Sequence, residues 1–466
     1  MHPAEQELWA YLDDLSRFGM RLGLERMRAL MARLGDPHRG FACVHVAGTN
    51  GKGSTCAMLA AMARAAGLRV GLYTSPHLVH FHERIVVDGR PIDSHELVEA
   101  YRAVRQAVER LDLPEPPTHF EFVTAMAFWH MARVGVQLAV VEVGLGGRLD
   151  ATNVVQPELC VLTPIGLDHT QVLGPRLQDV AREKAGIVKP GVPVVAAPQP
   201  PEAMEVIEAA CRAAASPLVT VRPAEPGHDG RLEGGGGHSP SGPAVYRYGA
   251  LSTGLEGSWL WVEGPEGFRA ARLRVALLGS HQVQNAAVAV AAAHQLAGQG
   301  WPFTVQAMAQ GLAQVQWPGR LQVLARDPWV LLDGAHNPPA AQALAAAVKE
   351  LFGRPAPVLV VGMLQEKDRA GTLAPLVAAG PQLVVATRSR SARTAPAHPA
   401  QLAELAVRLG TRRAVAVAPA SHAVEVAVQA VRRTGGRGPV LVTGSLYLAG
   451  EVLASWRPAG IDMVRR

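Results

Sequence analysis

Cysteine is scarce in this 466-residue sequence. The four present, Cys43, Cys56, Cys160 and Cys211, form no CxxC pair, which excludes a disulfide framework and a cysteine-built zinc site and points to a reduced, cytoplasmic setting. Aromatic residues make up only 5% of the chain and interleave with no basic stripe, so a nucleic-acid partner is not expected. No apolar run reaches membrane-spanning length, and the N-terminal MHPAEQELWAYLDDL lacks the basic region and apolar core of a signal peptide, so no membrane partner is expected. Acidic residues are outnumbered, 39 against 45 basic, leaving a net charge of +6. That excess, scattered arginine for the most part, suits small anionic substrates such as nucleotides or polycarboxylates.

What is plentiful is apolar and small. Hydrophobic residues make up 48% of the chain, enough for ample core, and the length calls for two or three domains. The organising stretch is VHVAGTNGKGSTCAMLAAMARAAG, Val44 to Gly67. The apolar run Phe41 to Val46 reads as a buried strand, Gly48 to Thr55 as a glycine-rich turn, and the Ala/Met/Leu-rich remainder as a helix stopped by Gly67. Strand, glycine turn and helix N-terminus together make an anion site, to which Lys52 adds a full positive charge and Ser54 or Thr55 a hydroxyl for Mg2+. The match to the generic P-loop is imperfect. Val46 stands where that pattern has glycine, and Gly53 separates Lys52 from the first hydroxyl. The alternative is an ordinary glycine-rich strand–helix turn.

One or two amphipathic helices are expected between Glu5 and Leu34. After the glycine turn, strands are expected at Arg69 to Tyr73, Leu138 to Val143, LCVLTPI and PVVAAP, with helices at Ser94 to Leu111, Phe120 to Arg133 and AREKAGIVKPG. FHERIVVDGRPI reads as an irregular, substrate-covering loop, RLEGGGGHSPSGP as a flexible one, and the alternating stretch between 221 and 277 as a small antiparallel sheet. A boundary near Gly298 to Pro302 divides the chain into a P-loop ATP-binding domain (1–298) and a smaller Rossmann-like α/β domain (299–466). The second carries the strands WVLLDG, APVLVVGML, QLVVATR, AVAVAP and PVLVTGS. The fold class is therefore α/β, with doubly wound parallel sheets.

In such sheets ligands bind at the carboxyl ends of strands, where Ser75, Glu142, Asp168 and His169 fall. Oxygen from Glu142 and Ser75 suits magnesium, whereas a lone histidine such as His169 is as readily structural as a ligand. In the second domain Arg320 suits developing phosphate charge and Asp333 suits ribose hydroxyls, with a loop salt bridge and a turn-forming aspartate as alternatives. The residues themselves lead to an Mg-ATP enzyme whose two domains close over a reaction centre; they do not identify the acceptor.

AGTNGKGS, YTSPHL with ERI, VEVGLGGRLDATN, GLDHTQVLG, EKAGIVK, WPGR, LDGAHNP and TGSLY occur in an order, and over nearly the whole chain, that resembles the folylpolyglutamate synthase/dihydrofolate synthase branch of the Mur ligase superfamily. The resemblance implies ATP-dependent ligation of L-glutamate, through an acyl phosphate, to dihydropteroate or to the γ-carboxylate of folates. It implies phosphate contacts from Thr49, Asn50, Gly51, Lys52, Gly53 and Ser54, and further ATP contacts from Asn285 (adenine), Arg320 (phosphate), Asp333 (ribose) and His336. Ser75, Glu142, His169 and a carbamylated Lys184 are implied as magnesium ligands at two sites, with a monovalent cation admitted. Glu142, His169 and Lys184 are thereby the catalytic set. Arg21, Leu22, Thr118, Asp150 and Ala151 resemble the pterin pocket of bifunctional members, although Arg21 departs from the acidic residue often found there. A monomer acting on dihydropteroate, folates and L-glutamate is expected. Alternatives are a monofunctional folylpolyglutamate synthase or a Mur-type ligase adding an amino acid to a cell-wall nucleotide. A P-loop ATPase without ligation would not need Arg320 and Asp333 on a second domain, and GLGG does not open the helix that a dinucleotide fold requires.

Overall fold

The computed structural model describes residues 3–17, 19, 21–111, 115–225, 244–392, 394–433, 435 and 438–457. The chain forms two compact units: Met1–Gly249 with Leu260–Arg274 and Gln284–Val315, and Ala250–Trp259 with Val275–Val283 and Gln316–Arg466. Residues 299–315 thus belong with the first unit.

The larger sheet is built from β1 (Ala42–Ala47), β2 (Val70–Tyr73), β3 (Ile85–Val87), β4 (Arg90–Pro91), β5 (Leu138–Glu142), β6 (Leu159–Leu162), β7 (Val194–Ala196), β8 (Leu218–Pro223), β9 (Ala244–Gly254), β10 (Gly257–Glu263) and β11 (Arg269–Val275). Their order is β11-β10-β9-β8-β7-β6-β1-β5-β2-β3-β4. β1 lies between β5 and β6 and is parallel to both, as its near-continuous apolar run requires of a strand buried on both faces. The chain leaves β1 toward β2 on one side and returns past it to β6 on the other. The crevice beyond the end of β1 is therefore a topological switch point.

Two expectations fail. FHERIVVDGRPI is not an irregular loop: a 3-10 turn Phe81–Arg84 leads into β3, antiparallel to β2, and β4, antiparallel to β3, which extend the sheet. Glu83 fixes the entry to the 3-10 turn, its carboxylate accepting the backbone N–H groups of Leu78, Val79 and His80. The stretch between 221 and 277 does not build a separate sheet either. β9 pairs parallel with β8, so β9, β10 and β11 continue the main sheet. The segment RLEGGGGHSPSGP lies outside the described residues.

The helix after the glycine turn, Lys52–Ala65, is buried along most of its length, which explains its small residues. The helix Val305–Gln314 packs on it at Gly311, where an added Cβ would lie 2.4 Å from the backbone N and Cα of Met62. The apolar cluster on one face of the sheet joins the N-terminal helices through Leu8, Met27 and Leu30 to Phe122 and Phe128 of the helix His119–Arg133.

The second unit holds a six-stranded sheet: β12 (Gln322–Arg326), β13 (Trp329–Leu332), β14 (Val358–Val361), β15 (Leu383–Ala386), β16 (Ala414–Ala416) and β17 (Val440–Thr443). The order is β12-β13-β17-β14-β15-β16. The five expected strands are all present and parallel; β12 adds an antiparallel edge through a hairpin with β13. Asn337 and Ser445 cap the helices that follow β13 and β17, so both turns are held by short polar side chains.

Gly311→Ala tests the closest helix contact. Helix propensity favours alanine by about 1 kcal/mol, whereas overpacking against backbone costs about 1–3 kcal/mol. A lower urea midpoint is expected, and one at or above wild type would show that the two helices separate freely.

Candidate active site

The glycine turn has its shape because two of its residues cannot carry side chains. Gly48 has φ +149°, and an added Cβ would lie 1.9 Å from Thr163 Oγ1; Gly51 has φ +83°, and its Cβ would lie 2.4 Å from Asn285 Oδ1. The second approach brings the carboxamide of Asn285 against the turn. The backbone N–H groups of Thr49 and Asn50 donate to Pro164 O at 2.9 and 3.2 Å, and the Thr49 hydroxyl donates to Gly166 O at 2.9 Å. These bonds tie the turn to the loop after β6. The anion-facing element is then the N-terminus of the helix Lys52–Ala65, where Gly51 is the cap residue and no side chain caps. Lys52 Nζ donates back to Thr49 O at 3.1 Å, holding its charge over the turn.

Lys184, on the helix Leu177–Ala185, is buried at 5% exposure and donates from Nζ to Gly48 O at 2.7 Å. Burial, and then the Lys52 charge, lower its pKa to about 7 against the pull of Asp168 and Asp150. Glu142 ends β5 in register with Val46 of β1, and its Oε2 accepts the backbone N–H of Ser75 at 3.1 Å. The strand ends thus bring Ser75, Glu142 and the glycine turn to one edge. His169 takes a left-handed conformation, φ +52°, stabilised by its N–H donating to Asp168 Oδ1 at 2.9 Å. Its ring stays largely exposed, with Nε2 3.9 Å from the same oxygen.

Among the described residues no group of three or more His, Cys, Asp or Glu gathers as a ready metal cage. The buried Glu142 carboxylate and the adjacent Ser75 are hard oxygen donors, the chemistry that Mg2+ prefers. An ion there would complete its shell with phosphate oxygens and water rather than with protein alone.

A second group of assigned residues surrounds the helix His119–Arg133. Thr118 is its N-cap, in a reciprocal box with Glu121. The Glu121 carboxylate also receives Arg26, with Nε at 3.2 Å and Nη2 at 3.1 Å, while Arg26 Nη2 donates to Arg21 O at 3.2 Å. One buried ion pair therefore joins the backbone at Arg21 to Thr118. Neither Arg26 nor Glu121 is singled out in the sequence; the T-x-x-E spacing signals the cap, but nothing local signals the arginine 95 positions earlier. Arg21 pairs with Glu115, and Leu22 is 51% exposed. Asp150 is buried beside Ala151, its Oδ2 accepting Leu145 N–H at 2.9 Å and its Oδ1 accepting Thr152 N–H at 3.0 Å.

The second unit assembles Arg320, Asp333 and His336. Asp333 accepts Leu321 N–H at 2.8 Å and Ala335 N–H at 2.7 Å, so it does organise the turn. Arg320 lies over Gly334, where a Cβ would be 2.6 Å from its Nη1, and His336 Nδ1 is 2.9 Å from Gly334 O. Arg320, Asp333 and His336 fall in the second unit and Asn285 in the first.

Residues 46–214 match the Mur ligase middle domain and residues 319–446 the Mur ligase glutamate ligase domain. These matches and the two α/β sheets define a Mur-type ligase. Among its relatives, the dihydrofolate synthase/folylpolyglutamate synthase of Bacillus subtilis is 38% identical over 371 residues, 79% of this chain and 81% of that protein. The folylpolyglutamate synthase of Lacticaseibacillus casei is 35% identical over 450 residues, 96% of this chain and 97% of that protein. A crystal structure of Mycobacterium tuberculosis folylpolyglutamate synthase complexed with ADP and AMPPCP superposes with a TM-score of 0.85 at 33% identity, covering 98% of this chain and 99% of that one. The chain belongs to the folylpolyglutamate synthase/dihydrofolate synthase family.

Lys184 gives the site a pH signature. Its folded pKa of about 7 lies below its ordinary value of 10.5, so between these the unfolded chain binds more protons and stability rises with pH. In chelator-treated, bicarbonate-free buffer, wild-type stability against urea is expected to rise from pH 7 to 9 relative to Lys184→Met. Parallel pH profiles would show that the lysine is not buried as described.

Proposed function

We propose that this protein ligates L-glutamate, at the expense of ATP, to the carboxylate of dihydropteroate and to the γ-carboxylate of folates. The observation that carries this reading is the convergence at one sheet edge of an uncapped helix N-terminus, Lys52, the Ser75–Glu142 contact and the buried amine of Lys184. Relatives that carry both activities in their names, and a structural neighbour complexed with ADP and AMPPCP, support the same reading.

In the reaction, an acceptor carboxylate oxygen attacks the γ-phosphorus of ATP, giving an acyl phosphate and ADP. The glutamate amine, having lost a proton, then attacks the acyl carbon and phosphate leaves with the C–O electron pair. No protein nucleophile is required; positioning and charge neutralisation do the catalysis. The helix N-terminus and Lys52 bind and orient the phosphates, Asn285 meets the base, and Arg320, Asp333 and His336 serve the nucleotide. Ser75 and Glu142, with His169, would hold Mg2+, which supplies neutralisation of phosphate charge. Lys184, neutral in part near pH 7, is nucleophilic enough to capture CO2; the resulting carbamate turns a repelling cation into an anionic oxygen donor. Arg21, Leu22, Thr118, Asp150 and Ala151 form the acceptor side.

One observation favours a narrower reading, folylpolyglutamate synthesis alone. Arg21 is basic and turned to Glu115, which alters the charge presented to a pterin.

Labelled glutamate offered with ATP and either dihydropteroate or tetrahydrofolate separates these readings. Product from both is expected; product from tetrahydrofolate alone would leave the narrower activity, and product from neither would refute folate ligation. Lys184→Ala is expected to reduce turnover by at least about 100-fold, as loss of a ligand-shell group does. A carbamate carbon signal after 13C-bicarbonate labelling should be present in wild type and absent from that variant.

A further inference from the structure

The central strand carries a histidine that the proposed chemistry does not use. His45 lies on β1, three residues before Gly48, and is fully buried. Cys43 and Ala47 flank it on the same face, where an apolar residue would serve the strand as well. Its Nε2 is 2.9 Å from Thr152 Oγ1, itself fully buried, and Thr152 Oγ1 is in turn hydrogen-bonded to Asp150 Oδ1. His45 Nδ1 has no hydrogen-bond partner among the described residues.

Proton counting settles the direction of this chain. Asp150 accepts backbone N–H groups on both oxygens, from Leu145 on one and Thr152 on the other, as an ionised carboxylate does. The single hydroxyl proton of Thr152 must therefore go to Asp150, and the Thr152 oxygen can only accept from His45. That fixes His45 as the neutral tautomer with its proton on Nε2 and a bare Nδ1. Burial disfavours imidazolium and lowers its pKa to about 3, so the tautomer persists throughout the neutral range. Burial alone pushes the carboxyl of Asp150 upward, and the Thr152 hydroxyl is the largest influence opposing it.

We propose that His45 and Thr152 are positioning residues for the acceptor side of the site: His45 donates to Thr152, Thr152 donates to Asp150, and the chain holds that carboxylate ionised and in one orientation toward the pterin-bearing substrate. This rests on the assignment of Asp150 to the acceptor side made above. A leucine in place of His45 would remove an orphaned acceptor from the core, so the imidazole is retained for the one bond that it donates. Hydrogen-bonded chains in a dry interior polarise one another, which makes the distal member felt at the carboxylate.

Thr152→Val removes the hydroxyl at constant volume. It should raise the KM for dihydropteroate and tetrahydrofolate about 10-fold, the loss of roughly one buried hydrogen bond, while kcat and the KM for ATP stay within about 3-fold. Thr152→Ser should restore both, and His45→Leu should act in the same direction by about 3- to 10-fold. With 15N-labelled histidine, the signal absent from His45→Leu should report a neutral Nε2–H ring at pH 7, shifted in Thr152→Val. A Nδ1–H or charged ring would overturn the chain. Unchanged acceptor KM values in Thr152→Val, or parallel losses in kcat and in ATP binding, would overturn its positioning role. Asp150→Asn separates the two layers. If it leaves both acceptor KM values unchanged, the placement of Asp150 fails and the proposal with it; if it raises them while Thr152→Val and His45→Leu do not, the pair alone is refuted.

Discussion

A buried amine bonded to a backbone carbonyl of the glycine turn governs the first unit. Lys184 Nζ lies 2.7 Å from Gly48 O, beside the charge of Lys52 and out of reach of water. Burial disfavours the ammonium form of Lys184, the Lys52 charge adds to that, and Asp168 and Asp150 only partly offset them. Lowering the pKa of one lysine resolves that conflict. The net charge at the turn is therefore set by the protonation or modification of one nitrogen, and an anion entering the site meets a field that composition alone does not specify.

Holding that nitrogen in place takes several loops. The helix that carries Lys184 is fastened to the loop after β5: Arg148 N–H donates to Glu183 O at 2.8 Å, and Asn153 Nδ2 donates to Arg148 O at 2.9 Å and Gly186 O at 3.1 Å. The same loop begins just after Glu142 and contains Asp150. The segments that carry Glu142, Asp150 and Lys184 are thus parts of one hydrogen-bonded body, rooted in β1 through His45 and Thr152. Preorganisation of this kind is what phosphoryl transfer asks of a protein, since most of its barrier is lowered by placing charge in advance.

Much of this was legible in the chain itself because it is local. A buried strand followed by glycines, a lysine and a helix needs a window of about two dozen residues to recognise, and Glu142 stands out because it interrupts an apolar run. What escapes a linear reading depends on contacts between distant residues. The amides of Thr49 and Asn50, natural candidates for phosphate, are occupied by Pro164, more than a hundred residues onward. Arg26 and Glu121 find one another only once two helices pack. FHERIVVDGRPI looks irregular because its strands are very short and owe their order to pairing with β2 and with each other, and β12 is bounded by polar residues, Gln322 and Arg326. Lys184 is the sharpest case. As text it is an ordinary helical lysine, and only burial gives it a perturbed acidity.

Asp150 and Asp333, one in each unit, show how the fold uses buried aspartates to organise loops. Each follows a strand end, and each spends its two carboxylate oxygens on backbone N–H groups from both sides of its loop. The backbone donors fix the carboxylate plane. For Asp333 the sequence poses a turn-forming and a ribose-binding aspartate as alternatives, and its two backbone bonds are those of the turn former. The Arg26–Glu121 ion pair works in the same way, tying the backbone at Arg21 to the N-cap of the helix His119–Arg133.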